Sequence, residues 1–74
     1  MKAIWNGEKL LIRRKQVGLT MAELAAKVDC DRPLVSMWEA GKVAPSGHFL
    51  VMLGITLNIE PKEFYNLEDE GVQL

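Results

Sequence analysis

The chain has one cysteine, Cys30, and one histidine, His48. A lone cysteine excludes an internal disulfide, and with a single histidine beside it no metal-ligand set is available. That usage fits a reducing compartment. No nucleophile–base pair or pair of inward carboxylates can be assembled, so neither a catalytic site nor a cofactor is expected. Cys30 is expected as a small core hydrophobe, and His48 as a surface residue. No apolar run approaches the roughly 20 residues of a membrane span. The opening stretch MKAIWNGEKLL lacks the apolar core and small-residue cleavage site of a signal peptide. A soluble, cytoplasmic protein is the expectation. Strand signals are sparse too: apolar and polar residues never alternate over several positions, and Asn6-Gly7 precedes a helical pattern rather than joining two β-branched runs. Repeats and low-complexity segments are missing.

What is present suits a small folded domain. Seventy-four residues bound it to one domain, and 49% hydrophobic residues place it outside the compositions that stay disordered. The net charge of -1 is unevenly spread. Residues 1–45 hold eight Lys/Arg against five Asp/Glu, whereas residues 46–74 hold one against five. A mildly basic first half is compatible with one face meeting nucleic acid.

Helix punctuation is dense. Asn6 can cap a first helix running to about Val17, with Leu10, Arg14 and Val17 on one face and Gly18 as the stop. Thr20 with Glu23 three residues on forms a capping box for a second helix, whose inner face carries Leu24 and Val28. Asp31 caps a third helix with Pro33 in its first turn, where a missing N–H costs little. Val35 and Trp38 point inward, and Gly41 supplies a left-handed stop. Pro45-Ser46 opens a fourth helix, GHFLVMLGITL, with Leu50, Leu53 and Leu57 on one stripe, Phe49, Met52 and Ile55 on a second, and Asn58 at its end. Pro61 starts a short fifth helix that buries Phe64. The predicted architecture is all-α, a compact bundle of five short helices over residues 1–67. Residues 68–74 are expected as a flexible acidic tail. The two or three residues between the second and third helices are the layout of a helix-turn-helix.

The stretch GLTMAELAAKVDCDRPLVSMWEAGK, followed by Pro45-Ser46, resembles the Cro/cI-type helix-turn-helix family, also called Xre-like or lambda-repressor-like. The resemblance covers roughly residues 8–65. It rests on Arg14, Gly18-Leu19-Thr20, Glu23-Leu24-Ala25, Val35-Ser36, Trp38-Glu39, Gly41, Pro45-Ser46 and the apolar fourth helix. It implies a lambda-repressor-like DNA-binding fold and an ion pair between Arg14 and Glu39, which fixes geometry more than it adds stability. It further implies a transcriptional regulator of the small repressor type, binding double-stranded DNA. The third helix enters the major groove. Arg32, Pro33, Ser36 and Met37 then face base edges. Thr20, Met21, Ala40 and Lys42 meet the phosphate backbone, and Arg13 is a further phosphate candidate.

Several of these positions depart from the family pattern. Met21 stands where glutamine is common, and Pro33, Met37 and Ala40 stand where polar or basic residues are common. Arg32 alone can make a bidentate guanine contact. An apolar working face also suits a protein partner, so an inhibitor or adaptor built on this scaffold is the second reading. The second stripe of the fourth helix, Phe49, Met52 and Ile55, with Ile59 or Tyr65, is expected to form a homodimer interface that sets two third helices about one DNA turn apart on a pseudo-palindrome. The rival expectation is that Trp5 or the tail folds over that stripe.

Overall fold

The computed structural model describes residues 1–69. The chain runs as strand β1 (Lys2–Trp5), helices α1 (Gly7–Val17), α2 (Met21–Val28), α3 (Arg32–Glu39) and α4 (Gly47–Leu57), a 3-10 turn (Pro61–Phe64), and strand β2 (Tyr65–Glu68).

The helix boundaries follow from caps. Asn6 accepts the Glu8 N–H through its side chain and opens α1. Thr20 accepts the Glu23 N–H while Glu23 accepts the Thr20 N–H, so both halves of the α2 capping box are made. Asp31 accepts the Leu34 N–H at the start of α3. Beyond its last turn each helix enters the left-handed region, at Gly18, Asp29, Gly41 and Asn58. In α3 the stop is a full Schellman motif: the Gly41 N–H reaches the Trp38 carbonyl and the Lys42 N–H reaches the Met37 carbonyl.

The core is formed by Leu10, Leu24, Ala25, Val28, Val35, Trp38, Leu53, Leu57 and Phe64, drawn from all four helices and the 3-10 turn. Val17 is 41% exposed and does not join Leu10 and Arg14 inside. Helix α4 has three faces rather than two. Leu53, Gly54 and Leu57 are buried. Phe49, Leu50 and Met52 are half-buried. Val51 and Ile55 stand 56% and 71% exposed. Gly54 is buried because the chain returns over it: a Cβ there would sit 2.9 Å from the Ile59 carbonyl oxygen.

Four expectations are corrected. Among the described residues the fold has four α-helices rather than five, since the segment opened by Pro61 is a single 3-10 turn. It also has a two-stranded antiparallel sheet, in which Lys2 pairs with Glu68 and Trp5 with Tyr65. Each strand is four residues long, too short for an alternating pattern to show, and the pairing joins opposite ends of the chain. Glu68, expected as the first residue of the tail, is the last of β2; residues 70–74 lie outside the described residues. Trp5 does not cover α4's exposed stripe. Its ring packs on Phe64 at 5.7 Å and Tyr65 at 5.6 Å.

Candidate nucleic-acid interface

Helices α2 and α3 are joined by three residues, Asp29 to Asp31. The left-handed conformation of Asp29 turns the chain, and Asp31 restarts it as a cap. Val35 and Trp38 fasten α3 to the core at 0% and 1% exposure. The opposite side of α3 is left open: Arg32, Pro33 and Ala40 are exposed, Ser36 is half-buried, and Met37 is 39% exposed. Thr20 is exposed at the start of α2, and Lys42 follows the glycine stop.

The apolar residues of this region divide. Met21 and Leu34 are half-buried and pack against the core. Met37 is therefore the one large apolar side chain that α3 presents outward.

Behind α3 lies an ion pair. Arg14 Nε donates to Glu39 Oε2 at 2.6 Å and Nη2 to Oε1 at 3.1 Å. Their side chains are only 8% and 4% exposed. Arg14 Nη1 also donates to the Leu19 carbonyl at 2.9 Å, so one guanidinium holds the end of α3 and the turn into α2 together. The Glu39 carboxylate raises the Arg14 pKa further above its ordinary value, chiefly through the hydrogen bond, against the opposing effect of burial.

The C-terminus of α3 touches the start of the chain as well. The indole N–H of Trp5 donates to the Trp38 carbonyl at 2.8 Å. A Cβ on Gly7 would lie 2.2 Å from that same oxygen and 2.5 Å from the Glu39 carbonyl oxygen. Only glycine lets α1 start against these two carbonyls. Sequence reasoning missed both residues; the one available signal was a glycine directly after the Asn6 cap, where a good helix former would otherwise serve.

Arg13 is placed elsewhere. Its Nε donates to the Leu57 carbonyl at 2.9 Å and Nη2 to the Asn58 carbonyl at 3.2 Å, so the side chain caps the end of α4. Lys9 reaches the Tyr65 carbonyl. The basic excess of the first half thus resides largely in α1. From Thr20 to Pro45 the chain holds three bases, Lys27, Arg32 and Lys42, and four acids, Glu23, Asp29, Asp31 and Glu39. Arg14 neutralises the last of these.

Cys30 is half-buried in the inter-helix turn. Burial, followed by the charges of Asp31 and Asp29, pushes its thiol pKa up, which disfavours the reactive thiolate. Among the described residues no cluster of His, Cys, Asp and Glu could hold a metal ion, and no helix is long and apolar enough to cross a membrane.

A capped helix, a three-residue turn and a second helix anchored on one side and open on the other define a helix-turn-helix domain. The helix-turn-helix family model matches residues 10–64, and the chain belongs to this family, in its Cro/cI-type branch. The P22 c2 repressor, solved in complex with a synthetic operator, is similar at 29% identity and a TM-score of 0.76, over 78% of this chain and 88% of that one. The restriction-modification controller protein C.AhdI from Aeromonas hydrophila is similar at 33% identity and a TM-score of 0.72, over 78% and 88%. FeII HppE shares the fold at 26% identity and a TM-score of 0.74; the match covers 92% of this chain but only 38% of that protein. No curated protein sequence matches the chain. Family and neighbours together identify a DNA-binding transcriptional regulator.

Proposed function

We propose that the protein is a sequence-specific double-stranded DNA-binding repressor that acts as a homodimer, with α3 in the major groove and no catalytic activity of its own. The observation that carries this reading is the division of the apolar residues. Because Met21 and Leu34 pack inward, the open side of α3 is a narrow strip of Arg32, Pro33, Ser36 and Met37 rather than a broad apolar patch. Arg32 supplies a bidentate guanine contact, Ser36 a hydrogen bond, and Met37 an apolar contact to a thymine methyl. Thr20, Lys42 and the backbone beside Met21 and Ala40 meet phosphates. The operator held by the P22 c2 repressor supports the same docking mode.

The second reading, an adaptor or inhibitor that binds protein through α3, draws on Met37 and on the even charge balance of the motif. The two readings separate by salt dependence. At most three cations per protomer, Lys27, Arg32 and Lys42, lie in the motif. The logarithmic salt slope of a DNA-bound dimer is then no steeper than about -5. Anisotropy titrations of genomic fragments against random duplex test this. Preference for some fragment, with a slope in that range, supports the DNA reading; equal affinity for all duplexes at moderate salt refutes it.

For the two-fold contact, Ile55 is the most exposed of the candidates, while Phe49, Met52, Ile59 and Tyr65 pack partly on the chain's own core. Val51, Ile55, Ile59 and Pro61 line a groove of about 570 Å³, and this groove is the surface proposed for the second copy. Sedimentation of Ile55→Glu checks it: loss of dimer mass supports the interface, and an unchanged dimer removes it.

A further inference from the structure

We infer that the β1–β2 ribbon is a positioning strap for the recognition helix, and that Trp5 is the residue through which it acts; the inference rests on the DNA-binding reading of α3. The helix has eight residues, about 12 Å of length, and only two deeply buried anchors, Val35 and Trp38. Two anchors one turn apart leave its tilt weakly determined. Its first turn is closed locally by the Asp31 cap, which does not tie it to another element. Its C-terminus is held from behind by Arg14 on Glu39 and from the chain start by Trp5 on the Trp38 carbonyl.

Trp5 differs from the other restraints in origin. It belongs to a strand fixed by pairing with β2 and by ring contacts to Phe64 and Tyr65. Both strands lie outside residues 10–64, the part that matches the family. The ribbon stands beside the matched helical core, and its one indole hydrogen bond goes to the last turn of α3. Ser36 and Met37 sit on that turn, so a small tilt there moves them more than it moves Arg32. The Trp38 carbonyl also accepts the Gly41 N–H at 3.1 Å. Removal of the indole donor leaves that oxygen satisfied, which separates a positioning role from a purely stabilising one.

The test uses the full chain with Trp5→Phe, and a second variant carrying an isosteric analogue at position 5 in which sulfur replaces the indole N–H, to keep packing on Phe64 and Tyr65. Two duplexes are probed: the one that the wild-type chain enriches most from a randomised library, and a scrambled duplex of equal composition. The expected result is a roughly three- to tenfold fall in the ratio of the two affinities, the size of one lost hydrogen bond. Scrambled-duplex binding stays within about twofold, as phosphate contacts are not removed. Without DNA, amide exchange should quicken at Ala40, Gly41 and Lys42 while α2 and α4 keep their protection. An unchanged affinity ratio, or exchange that quickens evenly over all four helices, overturns the positioning role. Failure of the wild-type chain to prefer any duplex overturns the DNA reading, and this role in recognition with it; the exchange pattern then shows whether the strap itself was wrong.

Discussion

Gly7→Ala is the sharpest perturbation the packing offers. The added Cβ would lie 2.2 Å from the Trp38 carbonyl oxygen, 2.5 Å from that of Glu39 and 2.7 Å from the Glu39 carbonyl carbon. All three are backbone atoms, so no side chain can rotate away. An ordinary contact is restored only if the start of α1 and the end of α3 separate by about 1 Å, a distance that follows from carbon–oxygen van der Waals spacing near 3.3 Å. That movement stretches the Trp5 hydrogen bond, now 2.8 Å, and skews the bidentate Arg14–Glu39 pair. Overpacking of this kind costs about 1–3 kcal/mol, and weakening one hydrogen bond adds about 1 kcal/mol. Alanine's better helix propensity returns up to about 1 kcal/mol. The net expectation is a loss of about 2–3 kcal/mol, which for a domain this small lowers Tm by roughly 10–20 °C. Gly47→Ala is the matched control, since nothing lies within 4 Å of its Cβ position; its Tm should hold or rise slightly. Thermal unfolding by circular dichroism reads both. A Gly7→Ala melt within about 3 °C of wild type would refute the account of how α1 and α3 meet.

Other perturbations address the ion pair, the turn and the cap. Glu39→Ala leaves Arg14 almost buried without its partner and should cost about 3 kcal/mol, whereas replacing both residues with methionine should recover much of that loss; urea denaturation of the single and double variants distinguishes them. Asp29→Gly relieves a non-glycine residue at φ 62° and should stabilise by about 1 kcal/mol. It also removes a carboxylate from the inter-helix turn, so duplex affinity should rise in the same variant when measured by anisotropy. Glu23 is held below its ordinary pKa of 4.5 by hydrogen bonds from the Thr20 backbone and side chain. A lowered folded-state pKa means that stability is present above the unfolded value and lost as pH falls through the folded one. Wild type should therefore lose stability on acidification below about pH 4.5, and Glu23→Gln should show a shallower loss over that window in pH-resolved melts.

Much of the helical frame was legible because it is written locally. Thr20 with Glu23, Asp31 three residues before Leu34, and the glycines at 18 and 41 each act within one turn of their own position. Trp38 and Arg14 could be assigned roles from the resemblance. What escaped the sequence was set by long-range contact. The strands pair residues sixty or more positions apart and show no alternation over four residues. Gly7 and Trp5 matter only because α1 and β1 arrive at the end of α3. Arg13 looks like a phosphate ligand on a basic helix, yet the carbonyls at the end of α4 lie within its reach. Met21, placed on the phosphate backbone by the resemblance, is half-buried against the core, because in a core this small the half-turn positions also find packing partners.

The pairing of Lys2 with Glu68 has a mechanical consequence. Polypeptide attached before β1 and after β2 would leave the domain side by side, as two cords from one stem. Tension between them would peel the ribbon open one residue pair at a time, because antiparallel strands loaded at adjacent ends unzip rather than shear. The inner end of that zipper is Trp5. Beyond the ribbon the peel would load two contacts together, the Asn6 N–H on the Phe64 carbonyl and the Trp5 indole on the end of α3, so a pull on the ends would reach α1 and α3 through one pair of neighbouring residues.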